Sequence, residues 1–305
     1  MDPGGTVTTR AGICFLMFSS TFLRYIRALL ILGRVSNLPT VWSNCLAGWW
    51  LGGDHRSNAL PWLFAGASLL YIGGMFLNDA CDAVFDREHR PERPIPSGHI
   101  GRGAVWWWGV AWVVIGATCL FWIGKITGLL GLILTFFILV YDLTHKRITF
   151  APLLMGSCRF VLYLVAASVG IEQVNGWAVW CGLVMGGYIV GLSCFARVES
   201  LRGPVRFWPM VLIVSPIVLA WFMNGGTYRG NAIILSLIVM LWAIKSIRYT
   251  FDPQARDIGR TVSGLLDGIV LVDWLGMPDA SRNFGFAFAA LFGRAWRLQK
   301  VVPAT

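Results

Sequence analysis

Apolar runs of fifteen to about twenty residues recur along the chain, separated by short connections rich in Arg, Asp, Asn, Gly and Pro. Nine such runs stand out, at about Leu38 to Gly52, Leu60 to Val84, Ala104 to Ile123, Ile126 to Tyr141, Pro152 to Gly170, Trp177 to Phe195, Phe207 to Met223, Asn231 to Ile247 and Thr261 to Trp274. A run of roughly twenty apolar residues, rising 1.5 Å per residue, matches the hydrocarbon thickness of a bilayer. Repeated segments of that length are the mark of a polytopic helical membrane protein. The pattern predicts an all-α polytopic membrane protein of about nine transmembrane helices.

The flanks differ from the spans. Residues through Arg10 are polar, and Ala11 to Leu23 is apolar without a small-residue cleavage site, which favours an interfacial leader over a signal peptide. Leu23 to Arg34 interleaves Arg24, Arg27 and Arg34 with apolar residues, as in a helix lying along the membrane surface. The expected organisation is therefore a leader and interfacial helix over 1–36, a transmembrane domain over 37–278 and a tail over 279–305. Within the tail, Asn283 to Leu298 runs from apolar to basic and either lies in the interface or forms a short tenth span.

Composition sharpens this picture. Of 305 residues 56% are hydrophobic and 13% charged, and the mean hydropathy is +0.66, too apolar for a soluble domain. The net charge of +10 does not form a nucleic-acid-binding face, because the basic residues stand between spans, where they set topology and meet anionic lipid or substrate. Lys and Arg crowd the N-terminal segment and the connections after the second, fourth, sixth and eighth spans, whereas the opposite connections carry only Arg56, Lys125 and Arg229. By the positive-inside rule the crowded face is cytoplasmic. The seven cysteines are scattered singly without a C-x-x-C pair and read as small core residues.

Candidate chemistry concentrates in Asn78 to Gly98, NDACDAVFDREHRPERPIPSG. Asn78, Asp82 and Asp86 are spaced i, i+4, i+8, and Asp79 adds an i, i+3, i+7 register, so on a helix four polar tips share one face. Carboxylates so placed at the end of an apolar span demand a cation. Mg2+ suits them, since it takes one or two carboxylates and completes its shell with water and phosphate oxygens. Arg87, Arg90 and Arg93 follow, and guanidinium forks match phosphate oxygens that a metal leaves uncovered. Taken alone, the cluster reads either as a solvated juxtamembrane loop laced with ion pairs or as a metal-diphosphate clamp.

The string N-D-x-x-D-x-x-x-D-R, followed by R-P-x-R-P-I-P-S-G, resembles the first aspartate-rich motif of the UbiA superfamily of intramembrane prenyltransferases. The resemblance implies a UbiA-like helical bundle with a central cavity, nine spans and the active face in the cytoplasm. It also implies Asn78, Asp82 and Asp86 as catalytic, with Asp79, Asp82 and Asp86 holding Mg2+ on an isoprenyl diphosphate while a hydrophobic acceptor waits in the bilayer. Arg34, Asn37 and Asn44 resemble the opening segment of such enzymes. A Tyr followed by a Lys-Arg pair after the fourth span is similar to YDLTHKRITFAP here, which makes Lys146 and Arg147 further diphosphate contacts.

Two features leave alternatives open. Arg159, inside the fifth span, either points at substrate or serves a structural pairing, since arginine within a span needs a partner or a cavity. The second acidic motif of the family falls at SCFARVESLRG, where Glu199 is the one carboxylate, flanked by Arg197 and Arg202. Either Glu199 holds a second Mg2+, or arginines replace that metal on the diphosphate, or the diphosphate is bound without cleavage. This stretch resembles the EboC-type subgroup. The expected activity is Mg2+-dependent prenyl transfer to an aromatic or other hydrophobic acceptor; the alternative is a non-catalytic membrane protein that binds or moves a polyprenyl-type metabolite. Asp267 and Asp273 would be noteworthy if buried.

Overall fold

A computed structural model describes residues 25–53, 57–201, 207–251, 256–277 and 279–302. From residue 38 onward the described residues form ten long helices: α1 (Leu38–Leu51), α2 (Leu60–His89), α3 (Arg102–Ile123), α4 (Lys125–Thr144), α5 (Ala151–Ala167), α6 (Gly176–Leu201), α7 (Pro209–Met223), α8 (Arg229–Ile247), α9 (Ile258–Leu275) and α10 (Arg282–Leu298). The first nine occupy the nine apolar runs of the sequence. By length and composition, five of the described helices, α2, α3, α4, α6 and α8, are long and apolar enough to cross a membrane, and α5 and α7 are shorter apolar helices. Local signals fix several starts. Proline stands in the first turn of α1, α2, α5 and α7, where its missing N–H costs nothing. Asp257 caps α9 by accepting from the backbone N–H of Arg260 at 2.9 Å.

The helix α2 extends further than the apolar pattern suggests. It runs through the whole acidic stripe to His89, five residues beyond the expected end at Val84. At 1.5 Å per residue its 30 residues span about 45 Å, against about 30 Å of hydrocarbon. The motif therefore rides on a rigid helical extension beyond the apolar part. Sequence hydropathy ends the span at the charges, but paired charges do not end the helix.

Consecutive helices pack side by side from α2 through α9, and α1 closes the arrangement by contacting α2, α5, α9 and α10. Glycines set the closest approach. A Cβ at Gly73 of α2 would stand 2.9 Å from the Gly109 carbonyl oxygen of α3, and one at Gly116 of α3 would stand 2.9 Å from the Gly66 carbonyl oxygen. Small residues thus let two backbones touch, which substitutes for the hydrophobic drive that lipid removes. Two large apolar cores result, beside a small one of Leu32, Phe76, Ala80, Ile100 and Val105. One joins Val41, Leu63, Leu70, Leu134, Val161 and Val165 of α1 to α5, and the other gathers Tyr188, Phe195, Ile213, Leu265, Ile269 and Phe288 of α6 to α10. They meet along α1 and α5. Trp122, Phe136, Phe222 and Leu241 remain exposed, as lipid-facing residues should.

The tail folds back on the bundle. Phe284, near the start of α10, packs its ring at a tilt against Trp49 and Trp50 at the end of α1, and α10 also contacts residues 35–37 at the other end of that helix. It thus runs antiparallel to α1 over that helix's whole length. At the other terminus residues 25–32 are helical and bury Ala28 and Leu32, four apart, as an amphipathic helix requires. The proposed leader before residue 25 lies outside the described residues.

Candidate active site

Three of the acids of α2 are buried: the side chains of Asp79, Asp82 and Asp86 are 8%, 10% and 4% exposed. Each is met by cations from other segments. Arg93, from the α2–α3 connection, bridges two of them, with Nη1 3.3 Å from Asp79 and 2.8 Å from Asp86. Asp82 receives Lys146 Nζ at 2.8 Å and His145 Nε2 at 3.3 Å, both just past the end of α4. Arg34 reaches Asp79 at 3.5 Å from the turn before α1. Arg34 adopts φ +41°, in the left-handed region that residues with a Cβ occupy only at a cost of about 1 to 3 kcal/mol, a kind of strain that clusters at functional sites.

The sequence therefore folds three separate segments onto one helical stripe. Three permanent cations face three carboxylates, which relieves the like-charge repulsion of an i, i+3, i+7 stripe. His145 adds a titratable group. Its Nδ1 lies 3.1 Å from the Tyr141 carbonyl, which can only accept, so Nε2 must carry a proton as well to meet Asp82 favourably. Burial opposes that charge, but the hydrogen bond to Asp82 and its negative charge prevail and raise the imidazole pKa above its ordinary value.

Asn78 is oriented by a residue that sequence reasoning passed over. Its Nδ2 donates to Asp142 Oδ1 at 3.1 Å, so its carbonyl oxygen is the end left free for a metal or a phosphate-bound water. Asp142 is 5% exposed and its other oxygen has no partner among the described residues. The signal was present: Asp142 follows Tyr141 inside an apolar helix, where a carboxylate needs a reason. His145 stood in the same stretch.

The remaining predicted residues fall into two groups. Arg87 and Arg147 are exposed and Arg90 half-exposed, all near the stripe in sequence but without an ion pair among the described residues. Arg197 donates to the carbonyls of Ile148 and Thr149 at 3.1 and 2.8 Å, tying the end of α6 to the connection that carries Lys146. Arg159 joins no carboxylate of the stripe; it binds Thr40 and Asn44 of α1. The side chain of Glu199 and all of Arg202 lie outside what is described.

The donors fit Mg2+ in kind. Buried carboxylate oxygens and an amide oxygen whose orientation is fixed by Asp142 are the hard ligands that ion prefers. Among the described residues no three His, Cys, Asp or Glu side chains converge as a metal-binding group, because each acid of the stripe is turned onto a cation. A small cleft of about 20 Å³ lies elsewhere, between α5, α6, α7 and α9, lined by Tyr163, Cys181, Pro216, Met223 and Val272.

Comparison with known proteins agrees with the motif. The model of the UbiA prenyltransferase family matches residues 36–206, more than half of the chain. A digeranylgeranylglyceryl phosphate synthase from Methanococcoides burtonii is 30% identical over 237 residues, covering 75% of this chain and 80% of that relative. Shorter matches to enzymes of the same name run at 31% identity over 121 residues in Methanosarcina mazei and 34% over 89 residues in Methanothrix thermoacetophila, spanning 41% and 33% of those relatives. A solved structure of a digeranylgeranylglyceryl phosphate synthase superposes with a TM-score of 0.57 at 16% identity, covering 89% of this chain and 98% of that one, which is a likeness of fold. With the aspartate motif folded on α2 and the family model covering the helices that present it, the chain belongs to the UbiA prenyltransferase family.

Proposed function

We propose that this multi-pass membrane protein transfers a prenyl group from an isoprenyl diphosphate to a hydrophobic acceptor within the bilayer, in a Mg2+-dependent reaction at the α2 stripe. The observation that carries the proposal is the exchangeable pairing of the stripe: every acid is held by a cation whose chemistry also suits phosphate. Arg93 and Lys146 have the chemistry to pair with phosphate oxygens instead of with Asp79, Asp82 and Asp86, and those carboxylates would hold Mg2+. Mg2+ would supply the charge that stabilises the leaving diphosphate. Asn78, pinned by Asp142, has its amide oxygen free and would add a neutral oxygen donor. Arg87, Arg90 and Arg147 stand further out as cations that guide the anion in.

The reaction breaks the allylic C–O bond, the diphosphate leaving with the electron pair, and forms a bond from the acceptor's nucleophile to the allylic carbon with loss of the acceptor's proton. The helices α1 to α9 exclude water from that carbon. The positive-inside bias of the sequence supports a cytoplasmic stripe. A binding-only role draws support from one feature, the single carboxylate Glu199 where the family carries two acids. Incubation of the purified protein with a labelled prenyl diphosphate, Mg2+ and a membrane extract separates the two: released diphosphate and a prenylated product support transfer, and retention of intact diphosphate overturns it.

A further inference from the structure

Asp273 of α9 is completely buried near the end of its helix, and every contact it makes is with a donor. Ser43 and Tyr163 each approach a carboxylate oxygen at 2.5 Å, and Asn44 Nδ2 lies 2.9 and 2.8 Å from the two oxygens. The two hydroxyls can accept as well as donate, and Ser43 Oγ also stands 3.1 Å from the Thr40 carbonyl, so the contacts hold the acid in place in either protonation state. The guanidinium that joins this network is one residue removed. Asn44 Oδ1 accepts from Arg159 Nη1 at 2.6 Å, so the amide relays between a guanidinium and a carboxylate on different helices, with both of its ends assigned.

Arg159 is held by more than Asn44. Its Nη1 also donates to the Thr40 carbonyl at 3.1 Å, and Nη2 donates to Thr40 Oγ1 at 2.9 Å, while that hydroxyl passes its own proton to the Asn37 carbonyl. Three acceptors thus occupy both protons of Nη1 and one of Nη2. The Nε–H and the second Nη2–H have no acceptor among the described residues, and the guanidinium is only partly buried. Those two donors form the lateral edge of the fork, the edge that takes a carboxylate or phosphate bidentately. A rigid guanidinium inside the apolar bundle, with that edge left open, is held for a ligand.

The place is separate from the acidic stripe. The ionisable groups that act most on Arg159 are Tyr71, Asp273, Cys45 and Cys158, none of them in the stripe. Tyr71 of α2 is coupled electrostatically to Arg34 as well as to Arg159. It stands eight residues before Asp79 on α2, about 12 Å deeper along the helix. Close contact of α1 with α5 makes the arrangement possible, since a Cβ at Gly48 would stand 2.8 Å from the Tyr163 carbonyl oxygen.

We infer that Arg159, held by Thr40 and the Asn44–Asp273 relay, binds the anionic head of the prenyl acceptor, a phosphate or carboxylate amphiphile, at a second site below the diphosphate. The inference rests on the prenyl-transfer reading and names its acceptor class. Asp273, Ser43 and Tyr163 are positioning residues in it, since they reach the ligand only through Asn44 and Arg159.

The test holds the full chain in detergent with the stripe blocked by Mg2+ and farnesyl thiolodiphosphate, a non-cleavable analogue, and then titrates dodecyl phosphate, dodecanoate or dodecanol while following thermal unfolding. At least one of the two anions should protect and the alcohol should not; which anion protects assigns the head. Arg159→Gln should weaken that protection at least tenfold and Arg159→Lys less, both leaving protection by the blocked stripe within about twofold. Asp273→Asn should weaken the anion by about five- to tenfold with the same sparing of the stripe, a selectivity that general destabilisation would not produce. The inference is overturned if dodecanol protects as well as the anions, if Arg159→Gln leaves anion binding unchanged, or if that variant loses anion and thiolodiphosphate together. It is also overturned if the thiolodiphosphate displaces the anion from the wild type. Absence of any thiolodiphosphate protection in the wild type would instead count against the stripe as a diphosphate site, and the anion titration without the analogue would still test Arg159.

Discussion

Replacing Arg93 by alanine separates the two roles assigned to the cations of the stripe. Its Nη1 lies between Asp79 and Asp86 at 3.3 and 2.8 Å, and its side chain is 16% exposed. Removing one partner of a buried pair costs about 3 to 5 kcal/mol, because the other charge is left without compensation. Arg34 still serves Asp79, and either acid can take up a proton, so a net loss of about 2 to 4 kcal/mol is expected in metal-free buffer. The same change vacates two carboxylates for a divalent cation. Mg2+ alone should then protect Arg93→Ala more than it protects the wild type, recovering about 1 to 3 kcal/mol at a concentration near a hundredfold above its dissociation constant. Protection by a prenyl diphosphate analogue with Mg2+ should fall, since the guanidinium fork is gone. Thermal unfolding in EDTA, in Mg2+, and in Mg2+ with analogue gives all three quantities. Equal Mg2+ responses in the variant and the wild type would refute the idea that Arg93 and the metal compete for the same acids.

Other outcomes follow from neighbouring contacts. Asp82→Asn and Asp86→Asn should each abolish Mg2+-dependent protection by a diphosphate analogue while insertion is unchanged; unchanged protection in both would remove the stripe from the site. The His145–Asp82 pair contributes stability that is fully present below the ordinary imidazole pKa and is lost as pH rises through the raised folded value. In EDTA the wild type should therefore lose stability across that window above pH 6.5, and His145→Gln should flatten the slope; an identical slope in both would place the titration elsewhere. Gly48→Val should destabilise the chain by about 1 to 3 kcal/mol, because a Cβ there stands 2.7 Å from the Ala166 methyl; a neutral change would show that α1 and α5 can separate freely. Glu199→Gln should cut turnover by orders of magnitude with diphosphate binding kept if Glu199 holds a second metal, whereas Arg197→Ala should be the damaging change if arginine has taken that role; silence of both in turnover and binding would favour the binding-only reading.

The span pattern was legible because lipid imposes it: an apolar run near twenty residues has one stable conformation in a bilayer. The acidic stripe was legible for a similar reason, as its i, i+4, i+8 spacing means something only on a helix. Other features came from tertiary contacts. No local signal ties Arg34 to Asp79, 45 positions away, or makes Asp142 the partner of Asn78, and Arg159 was readable only as an arginine in need of a partner. Asp273 was noticed as a charge inside a span, but its four donor contacts come from α1 and α5, more than a hundred residues earlier. The C-terminal helix was ambiguous because its one-sided apolar face suits a membrane surface and a groove along α1 equally well.

The central claim is that the α2 stripe cleaves an isoprenyl diphosphate with Mg2+. Release of labelled diphosphate from farnesyl or geranylgeranyl diphosphate, measured on purified protein with a membrane extract as acceptor source, addresses it most directly. The wild type should release diphosphate with Mg2+ and not in EDTA, and Asp82→Asn should lose that release by at least a hundredfold while still folding. Diphosphate that stays intact in the wild type under every Mg2+ concentration and acceptor fraction, or release that survives in Asp82→Asn, would contradict the account.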